Sequence, residues 1–533
     1  MATRIITDLP VELLVMIFFF LDARDLINCK QVCQLFLQLI RDSTVLQYFY
    51  ELELAGMADE PLCPLPYVER LRKLRSLQHM RRTAELVPGT SFPQWTALVW
   101  TTTPGGLFAQ ANMRGGIDFI QLPSAVLGVS ERRWSVHSDG LEMEMETMCM
   151  DPSQDVVVVT GWDRVPNRPH EINLSDAGRY DEKDDVEENR REGRQTRLEG
   201  DYVAHLGSWD HEYAILVWDW KTGDLLWESI VYRACIWTLP NTVITQHLQK
   251  DPEEEPEYKY NSFDFIDSRH LLATEDNGID IFVLDRPSTY TGVPVFIRGA
   301  LCLWDYPIRK GQSFTLPQLM STHKGGCSQR NPAQPFYSSP HRGLVAVACY
   351  GAPLSAGDSD SIWTEVILVP ASMVREWSLR AQADEEDEAK FMGSNGLVEW
   401  AYWAPYYPRM RRTGRPFSAE VQGMHATVAN VEGDKLVLDH IDYTVVGGKE
   451  AEFDFKTHPG RGDEWDAGNE LCVIPEDSEG VHSAYAEARP LIQGFPQYLV
   501  ILPDYAILQE YKDDNGDHQW QIYHIVASDS SGS

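Results

Sequence analysis

The first residues of the chain carry apolar side chains at helical spacing. Leucine or isoleucine recurs every four residues, at Leu9, Leu13, Ile17 and Leu21, which is the spacing of one face of an α-helix. Pro10 suits the first turn of such a helix, because its missing N–H would have no partner there. The pattern predicts a helix that begins near Pro10.

Two further short helices are expected before residue 50. Asp22 is placed to cap a helix that carries Leu26 and Ile27. A third set of apolar residues follows at helical spacing, made of Val32, Cys33, Phe36, Leu37 and Ile40. Three helices this short carry more apolar surface than they can bury among themselves. The excess is expected to pack either on a partner protein or on the rest of the same chain, and periodicity does not separate the two.

A longer helical pattern follows the proline-containing break at residues 61–66. Val68, Leu71, Leu74 and Leu77 recur every three residues. Basic residues stand between and after them, at Arg70, Arg72, Lys73, Arg75, Arg81 and Arg82. We expect a connector helix whose apolar edge packs on the next domain. Its basic side is expected to be solvated rather than to bind nucleic acid, because the chain is acidic as a whole.

From about Val87 the pattern changes to short apolar runs separated by turn residues. Residues 156–160 form such a run after a polar turn at 151–155. The sequence Asp276-Asn277-Gly278 predicts a tight hairpin turn before another run at 279–284. Similar units recur as far as residue 526, so the expected fold class is mainly β with an N-terminal α domain.

Charge and cysteine content narrow the possible partners. The 533 residues include 46 Lys and Arg against 80 Asp and Glu, a net charge of −34, and a field of that sign repels phosphate backbones. Nine cysteines are too few for a disulfide framework, and the pair Cys29 and Cys33 lacks a second pair at zinc-ligand spacing. The apolar run 13–21 is too short to span a bilayer, and acidic residues follow it where a signal peptide would be cleaved. We expect a reducing compartment, cytoplasmic and/or nuclear.

The spaced positions of the first fifty residues form one motif: Leu9-Pro10-Val11-Glu12-Leu13-Leu14, Ile17-Phe18, Leu21, Asp25-Leu26, Val32-Cys33 and Phe36. This motif closely resembles the F-box. Phe36 stands where that family most often has Trp, and it keeps a large aromatic side chain. The order of motif, segment 50–57 and helix 69–75 is also similar to a large group of fungal F-box proteins.

In the F-box family the three-helix unit inserts into the Skp-type adaptor of a cullin-RING ubiquitin ligase. The resemblance therefore implies a set of adaptor contacts, or their immediate support, at Leu9, Pro10, Leu13, Ile17, Phe18, Leu21, Leu26, Val32, Cys33 and Phe36.

Strands of the β-rich region tend to end in an aromatic-Asp or Leu-Asp pair, as at Trp218-Asp219, Leu284-Asp285 and Trp304-Asp305. This recurring order of strands and turns resembles a degenerate WD-repeat-type β-propeller, although the Gly-His and Trp-Asp pairs of that family do not recur at a regular interval. The resemblance implies about seven four-stranded blades with large insertions. Two large β-sandwiches are the alternative architecture.

The expected organisation has four parts: an F-box domain at 1–57, a linker and connector helix at 58–86, a degenerate β-propeller-like substrate-recognition domain at 87–527, and a disordered tail at 528–533. The charged segments 181–197, 251–257 and 384–388 are expected to be solvated loops.

No linear motif for catalysis is present. The sequence lacks a phosphate-binding loop and a Gly-x-Ser-x-Gly elbow. Its histidines His341, His425, His440 and His458 are isolated, so each is expected to be a structural or surface residue rather than a ligand. We expect no catalytic residue, no metal and no cofactor. A propeller enzyme built from carboxylates on several strands remains an alternative.

One segment stands out as a substrate-binding candidate. No acid lies between Trp400 and Ala419, although the chain is strongly acidic. Pro405 and Pro408 predict a loop, and an aromatic, basic loop suits an acidic or phosphorylated peptide. The alternative is that the aromatics pack between blades and the arginines balance acidic loops. The candidate residues are Trp400, Tyr402, Trp403, Tyr406, Tyr407, Arg409, Arg411 and Arg412.

These features predict a substrate-recruiting F-box subunit of an SCF-type cullin-RING ubiquitin ligase. Its F-box would bind the Skp-type adaptor, and through it cullin and a RING protein, while the β domain binds a protein substrate. No nucleic acid and no membrane are expected as partners. The alternative is a propeller scaffold, or a propeller enzyme, whose F-box serves regulation or turnover.

Overall fold

The protein is described by a computed structural model, which covers residues 6, 9–93, 99–103, 105–112, 116–124, 129–137, 143–163, 195–209, 212–228, 260–275, 278–284, 298–302, 312–322, 334–339, 342–353, 363–382, 397–398, 409–413, 418–432, 435–446, 481–487, 499–502, 505–512 and 517–527. The predicted features at 251–257, 384–388 and 528–533, as well as His341, His458, Asp285 and Trp304-Asp305, lie outside these described residues.

The N-terminal unit has four helices rather than the three predicted: α1 (Val11–Phe19), α2 (Ala23–Val32), α3 (Gln34–Asp42) and α4 (Thr44–Leu54). The Asp22 carboxylate caps α2 by accepting a hydrogen bond from the Asp25 N–H at 2.7 Å. The first three helices and the start of α4 share a core of Leu14, Phe18, Leu26, Phe36, Ile40 and Leu46.

The fourth helix was missed because its apolar residues face two different cores. Leu46 packs inside the N-terminal unit, whereas Tyr48 and Leu52 pack against the connector and the β domain. The helix therefore shows no single apolar stripe of the kind that periodicity detects.

The predicted connector helix is present as α5 (Tyr67–Arg82), after the short strand β1 (Met57–Asp59). Its buried edge is formed by Leu71, Leu74, Leu77 and Met80, whereas Val68 is exposed. The expectation of a solvated basic side is wrong at two positions, because Arg70 and Arg81 are buried.

The strands that follow are β2 (Ala84–Pro93), β3 (Trp100–Thr102), β4 (Leu107–Ala111), β5 (Ile117–Gln121), β6 (Arg132–Val136), β7 (Met143–Asp151), β8 (Val156–Asp163), β9 (Gln195–Glu199), β10 (Tyr202–Trp209), β11 (Glu212–Asp219), β12 (Leu225–Glu228), β13 (Tyr260–Asp267), β14 (His270–Glu275), β15 (Gly278–Val283), β16 (Arg298–Cys302), β17 (Gln312–Thr322), β18 (Phe336–Ser338), β19 (Leu344–Pro353), β20 (Trp363–Pro370), β21 (Leu397–Val398), β22 (Arg409–Thr413), β23 (Ser418–Gln422), β24 (His425–Glu432), β25 (Lys435–Asp442), β26 (Val481–Glu487), β27 (Leu499–Leu502), β28 (Tyr505–Lys512) and β29 (Asp517–Ala527). Helix α6 (Ala371–Gln382) follows β20, and α7 (Tyr443–Val446) follows β25.

Apart from β1 and β18, which pair with each other, these strands form seven sheets in chain order: β3–β6, β7–β8, β9–β12, β13–β16 with β21, β17-β19-β20-β22, β23–β26, and β27–β29 with β2. The first strand of each sheet contacts the first strand of the next, from β3 through β7, β9, β13, β17 and β23 to β27. Strand β2 completes the last sheet by pairing antiparallel with β29. Innermost strands in a series, closed by an N-terminal strand, define a β-propeller.

The last blade also packs on the first, which closes the ring. Phe92 of β2 and Trp520 of β29 share a core with Phe108 and Ile120 of the first blade. Trp520 is fully buried, and its ring meets the Phe108 ring edge-on at 5.4 Å. The propeller expected from the sequence is confirmed, and the two-sandwich alternative does not fit this closed series of sheets.

Hydroxyl and imidazole pairs with at least one buried member favour a single register inside several blades. Thr147 and Thr160 are cross-strand partners with their Oγ1 atoms 2.6 Å apart, and Ser262 and Thr274 repeat this arrangement at 2.6 Å. In another blade the Nδ1 atom of His440 lies 3.0 Å from the Thr427 hydroxyl. A slip of one residue would leave these buried groups without partners, so they favour one register.

The structure agrees with two local predictions from the sequence and differs from a third. The hairpin expected at 276–278 joins β14 to β15, whose register pairs Glu275 with Gly278. Trp218-Asp219 ends β11 as the strand grammar predicted. The loop expected over 181–197 is wrong for its last three residues, because β9 begins at Gln195.

Candidate adaptor-binding surface and its junction with the propeller

The N-terminal helices present an exposed apolar surface. Among the residues predicted from the motif, Leu9 is 37% exposed, Leu13 46%, Ile17 39% and Val32 68%. Pro10 is exposed as well. Burying side chains of this size contributes about 1.5–3 kcal/mol each, so this surface has the chemistry of a protein interface.

The other predicted residues support this surface from below. Phe18, Leu26 and Phe36 are buried in the core of the N-terminal unit, where the Phe18 and Phe36 rings meet edge-on at 4.9 Å. Leu21 and Cys33 are partly buried against the same core. The structure thus separates the motif into exposed positions and core positions.

Helix α1 and its C-cap also expose apolar residues that were not among the predicted contacts: Val11, Met16, Phe19 and Phe20. Met16 is 59% exposed and Phe20, which ends α1, is 81% exposed. Leu14 and Phe18 face the core, and residues two positions further along a helix point to the opposite side. The signal was present in the sequence, since the apolar stripe of α1 is wider than one core requires.

A half-buried carboxylate ties the N-terminal helices to each other and to the propeller. Glu53 of α4 accepts a hydrogen bond from the Ala23 N–H at the start of α2, at 2.6 Å. It also forms an ion pair with Arg342 of the propeller. Burial raises the pKa of Glu53, and Arg342 and the Ala23 N–H oppose that rise.

The chain leaves the helical unit through a close backbone contact with the propeller. The Met424 N–H, in the turn between β23 and β24, donates to the Ala55 carbonyl at 3.1 Å, and the Ser339 N–H donates to the Gly56 carbonyl at 2.9 Å. Immediately afterwards β1 pairs antiparallel with β18. Three backbone connections therefore lie within a few residues of the end of α4.

A polar cluster at the start of α5 braces this junction. The Tyr48 hydroxyl donates to Asp59 at 2.7 Å, and Arg70 forms an ion pair with the same carboxylate. Arg70 also donates to the carbonyls of Leu65 at 2.8 Å and Glu60 at 2.9 Å. Burial, reinforced by Asp59, raises the pKa of the Tyr48 hydroxyl. The cluster explains why Arg70 is buried: its charge and its N–H groups are satisfied locally.

The end of α5 rests on the β23–β26 blade through a second polar group. Arg81 hydrogen-bonds Gln422, and Arg82 lies 3.7 Å from the Asp442 carboxylate. His425 stands beside them with its Nε2 atom shielded from solvent and without a hydrogen-bond partner among the described residues. Burial, and then the positive charge of Arg81, lowers the pKa of His425 to about 3.

The substrate candidates are only partly described. Trp400, Tyr402, Trp403, Tyr406 and Tyr407 lie outside the described residues. Arg409, Arg411 and Arg412 belong to the edge strand β22, so the prediction of a loop is wrong for them. Two prolines before the strand do not prevent pairing, because β22 begins one residue after Pro408. The register places Arg411 opposite Glu365, a carboxylate that is fully buried.

Ser378, His270 and Asp267 lie close together where α6 packs on the β13–β16 blade. His270 lies 2.8 Å from the Asp267 carboxylate and 3.0 Å from the Ser378 hydroxyl of α6. Ser378 is 2% exposed, and its hydroxyl lies 2.7 Å from the Arg375 carbonyl oxygen. Arg375 in turn pairs with Asp267 at 2.6 Å. The arrangement holds α6 on the blade, and Ser378 is shielded from solvent there.

The described part of the chain holds neither a metal-binding cluster nor a membrane-spanning helix. Its His, Cys, Asp and Glu side chains form no group of three that could hold a metal ion. None of its helices is long and apolar enough to cross a membrane.

Comparison with known proteins agrees with the N-terminal assignment. The F-box-like family matches residues 6–50. No curated protein sequence matches the chain.

The chain also has similar solved structures. The C-terminal WD40 domain of Sif2 is 8% identical, with 83% of this chain and 98% of that domain covered and a TM-score of 0.35. The β-propeller domain of Cps50 (Swd1) from Myceliophteria thermophila is 9% identical, with 83% and 100% covered and a TM-score of 0.27. The Dos1 propeller is 10% identical, with 82% and 95% covered and a TM-score of 0.32. Scores this low carry no weight, so the propeller assignment rests on the sheet order and blade contacts described above.

The motif, the helical unit it forms and the family match at residues 6–50 agree with one another, and the sheets that follow close into a ring. The chain carries an F-box-like domain at residues 6–50, and its C-terminal region is a β-propeller.

Proposed function

We propose that this protein is the substrate-recruiting subunit of an SCF-type cullin-RING ubiquitin ligase. Its F-box would bind the Skp-type adaptor, and through it cullin and a RING protein. The propeller would hold a protein substrate. The subunit is proposed to have no catalysis of its own and to work in the cytoplasm, the nucleus or both.

The observation that carries this proposal is the exposed apolar surface on the F-box-like domain. Leu9, Leu13, Ile17 and Val32 belong to the family motif and are exposed, while the same domain buries a complete core of its own. Internal packing on the propeller therefore does not consume this surface. A fixed apolar patch of this size on a folded domain favours a stable protein partner.

The junction with the propeller supports the same role. Backbone bonds at Ala55 and Gly56, the β1–β18 pairing and the Arg70 cluster fix the F-box on the propeller. A recruiting subunit benefits from such a joint, because a bound substrate is then held at a defined distance and angle from the catalytic arm of the ligase.

We propose that the aromatic and basic segment from Trp400 to Arg412, which includes the start of β22, contacts the substrate. Arginines bind carboxylates and phosphates in two-point geometry, and the segment is free of acids between Trp400 and Ala419. Arg409 and Arg412 are the preferred contact residues, since Arg411 lies opposite the buried Glu365.

Affinity purification of the full chain from cells tests the proposal. We expect the adaptor and cullin to be recovered with the intact protein, and proximity labelling to mark proteins whose levels rise when the chain is deleted. Loss of residues 1–57 should remove adaptor and cullin together. Recovery of cullin by the truncated chain, or no cullin with the intact chain, would favour a scaffold that carries its F-box for another purpose.

A further inference from the structure

The outermost strand of the first blade is an exposed edge that carries two arginines and a tryptophan. Strand β6 (Arg132–Val136) pairs with β5 on one side, and it is the last strand of its sheet in the described part of the chain. Arg132, Arg133, Ser135 and Val136 are all exposed. An edge of this kind presents N–H and C=O groups that can pair with another extended chain.

The charge of this edge is opposite to that of the protein. No acid lies between Glu131 and Asp139, whereas the chain carries a net charge of −34. Arg133 is paired with Glu131 at 2.8 Å. By contrast, the outermost strand β12 of another blade ends in Glu228 and contains no basic residue. On the neighbouring strand β5, Asp118 accepts a hydrogen bond from the Ser135 hydroxyl at 2.7 Å. Strand β6 itself carries two arginines and no acid, so the end that holds Arg132 and Arg133 is the complement of an acidic ligand.

An aromatic platform on the same strand is held in place. The Trp134 ring stacks on the Phe119 ring with their centroids 5.2 Å apart and their planes at 6°, and Phe119 is buried. The Arg132 guanidinium lies over the Trp134 ring, 5.1 Å from its centroid. Alternation along a strand places Arg132, Trp134 and Val136 on one face. That face offers a cation, an aromatic ring and an aliphatic side chain in order.

We propose that β6 is a docking edge for an extended acidic segment of a substrate protein, which pairs antiparallel with it. Cross-strand neighbours of Val136 and Trp134 should be apolar, and those of Arg133 and Arg132 should be acidic. The segment recognised is therefore apolar-x-apolar-acidic-acidic, read from its N-terminus. This inference rests on the proposed function, since it names the class of substrate that the propeller recruits.

Fluorescence anisotropy with the full chain tests the edge directly. The probe is a labelled peptide that carries Val-Thr-Val-Glu-Glu between Gly-Ser flanks. We expect it to bind the unaltered protein, and Arg132→Glu with Arg133→Glu to weaken binding by about tenfold or more, because like charges then face the acidic end. Arg72→Glu on α5, an arginine whose side chain is 74% exposed, is a charge-reversal control away from the edge and should bind the peptide like the unaltered protein.

A second peptide separates strand pairing from simple charge attraction. Methylation of alternate backbone nitrogens removes the N–H groups that pair with an edge strand but leaves every charge in place. We expect one of the two methylated registers to lose binding. Equal binding of all peptides, equal loss in the Arg72→Glu control, or no binding by the unaltered protein would overturn the docking edge. Adaptor binding is measured on the same samples, so failure of the peptide with adaptor bound contradicts only the edge, and the reverse result contradicts only the ligase role.

Discussion

Gly56 and Gly423 lie against each other where the F-box ends and the β23–β24 turn begins. Both have positive φ, +66° and +60°. A Cβ atom on Gly56 would lie 2.6 Å from the Met424 nitrogen, and one on Gly423 would overlap the Ala55 carbonyl oxygen. Only glycine permits both the left-handed backbone and this close approach, so the pair sets how near the helical unit sits to the propeller.

Replacing Gly423 by alanine should therefore weaken the joint between the two parts. Left-handed backbone alone costs a residue with a Cβ about 1–2 kcal/mol, and the overlap with Ala55 should add about 1–3 kcal/mol. Gly200→Ala is the matched control, because Gly200 has φ +58° and the nearest atom to its Cβ is 3.9 Å away. Urea unfolding should show the larger loss for Gly423→Ala. Equal losses would mean that the close approach does not matter.

The polar group under α5 should make stability depend on pH. Burial and Arg81 hold the pKa of His425 at about 3, below its ordinary value of 6.5, so the unfolded state binds a proton that the folded state does not. The free energy of unfolding should fall as the pH drops from 6.5 towards 3, by up to about 1.4 kcal/mol for each pH unit. The charged and titratable groups around His425 are Arg81, Arg82, Asp442 and His440.

The variant His425→Gln isolates this effect. It should flatten the pH dependence of urea unfolding between about pH 6.5 and pH 4. The variant lacks the imidazole whose pKa is lowered by folding, while the surrounding charges remain. The same slope in the variant and in the unaltered protein would assign the acid sensitivity to other groups.

Phe20 should add to adaptor binding although the motif did not predict it. Its ring is 81% exposed, yet it is held edge-on by Phe19 at 5.9 Å, which packs on Phe49 at 4.7 Å. Aromatic anchors fixed before binding are common among residues that dominate interfaces. Phe20→Ala should weaken adaptor binding by about 1–2 kcal/mol with little change in thermal stability. Val68→Ala on α5, where the side chain is 61% exposed, should change neither quantity.

The three arginines of β22 should fall into two classes. Residues directly opposite in an antiparallel pair are neighbours on one face, so we expect Arg411 to compensate the buried charge of Glu365. Arg411→Ala should lower the free energy of unfolding by about 3 kcal/mol. Arg409→Ala and Arg412→Ala should leave stability unchanged and reduce substrate recovery. Reduced recovery with unchanged stability for Arg411→Ala would make it a substrate contact instead.

The sequence was most informative where the residues on one face of a helix or strand all pack against the same neighbour. The motif from Leu9 to Phe36 predicted the F-box-like unit, because apolar spacing and identity agree at nearly every position. The β-propeller could be expected from strand and turn grammar, since blades are built from local hairpins. The closing pair of β2 and β29 joins residues more than four hundred positions apart, and no local pattern reports such a contact.

The sequence was least informative where one side chain has several distant partners. Arg70 was expected in solvent, but its partners are Asp59 and three backbone carbonyls that no sequence pattern marks. Met16 and Phe20 were missed because the motif fixes the neighbouring positions and leaves theirs variable. Arg411 was assigned to a loop from the nearby prolines, whereas pairing with β20 places it on a strand.

The central claim is that the exposed face of α1 binds a Skp-type adaptor, and calorimetric titration of the purified chain with that adaptor tests it. We expect tight binding by the unaltered protein and none by Leu13→Asp with Ile17→Asp, because two unpaired charges would be desolvated in an apolar contact at a cost of several kcal/mol. The matched control, Leu62→Asp with Val68→Asp, also places two acids at exposed apolar positions and should bind normally. Both double variants should keep the thermal transition of the propeller. Undiminished binding by Leu13→Asp with Ile17→Asp would contradict an adaptor-binding role for this face of α1.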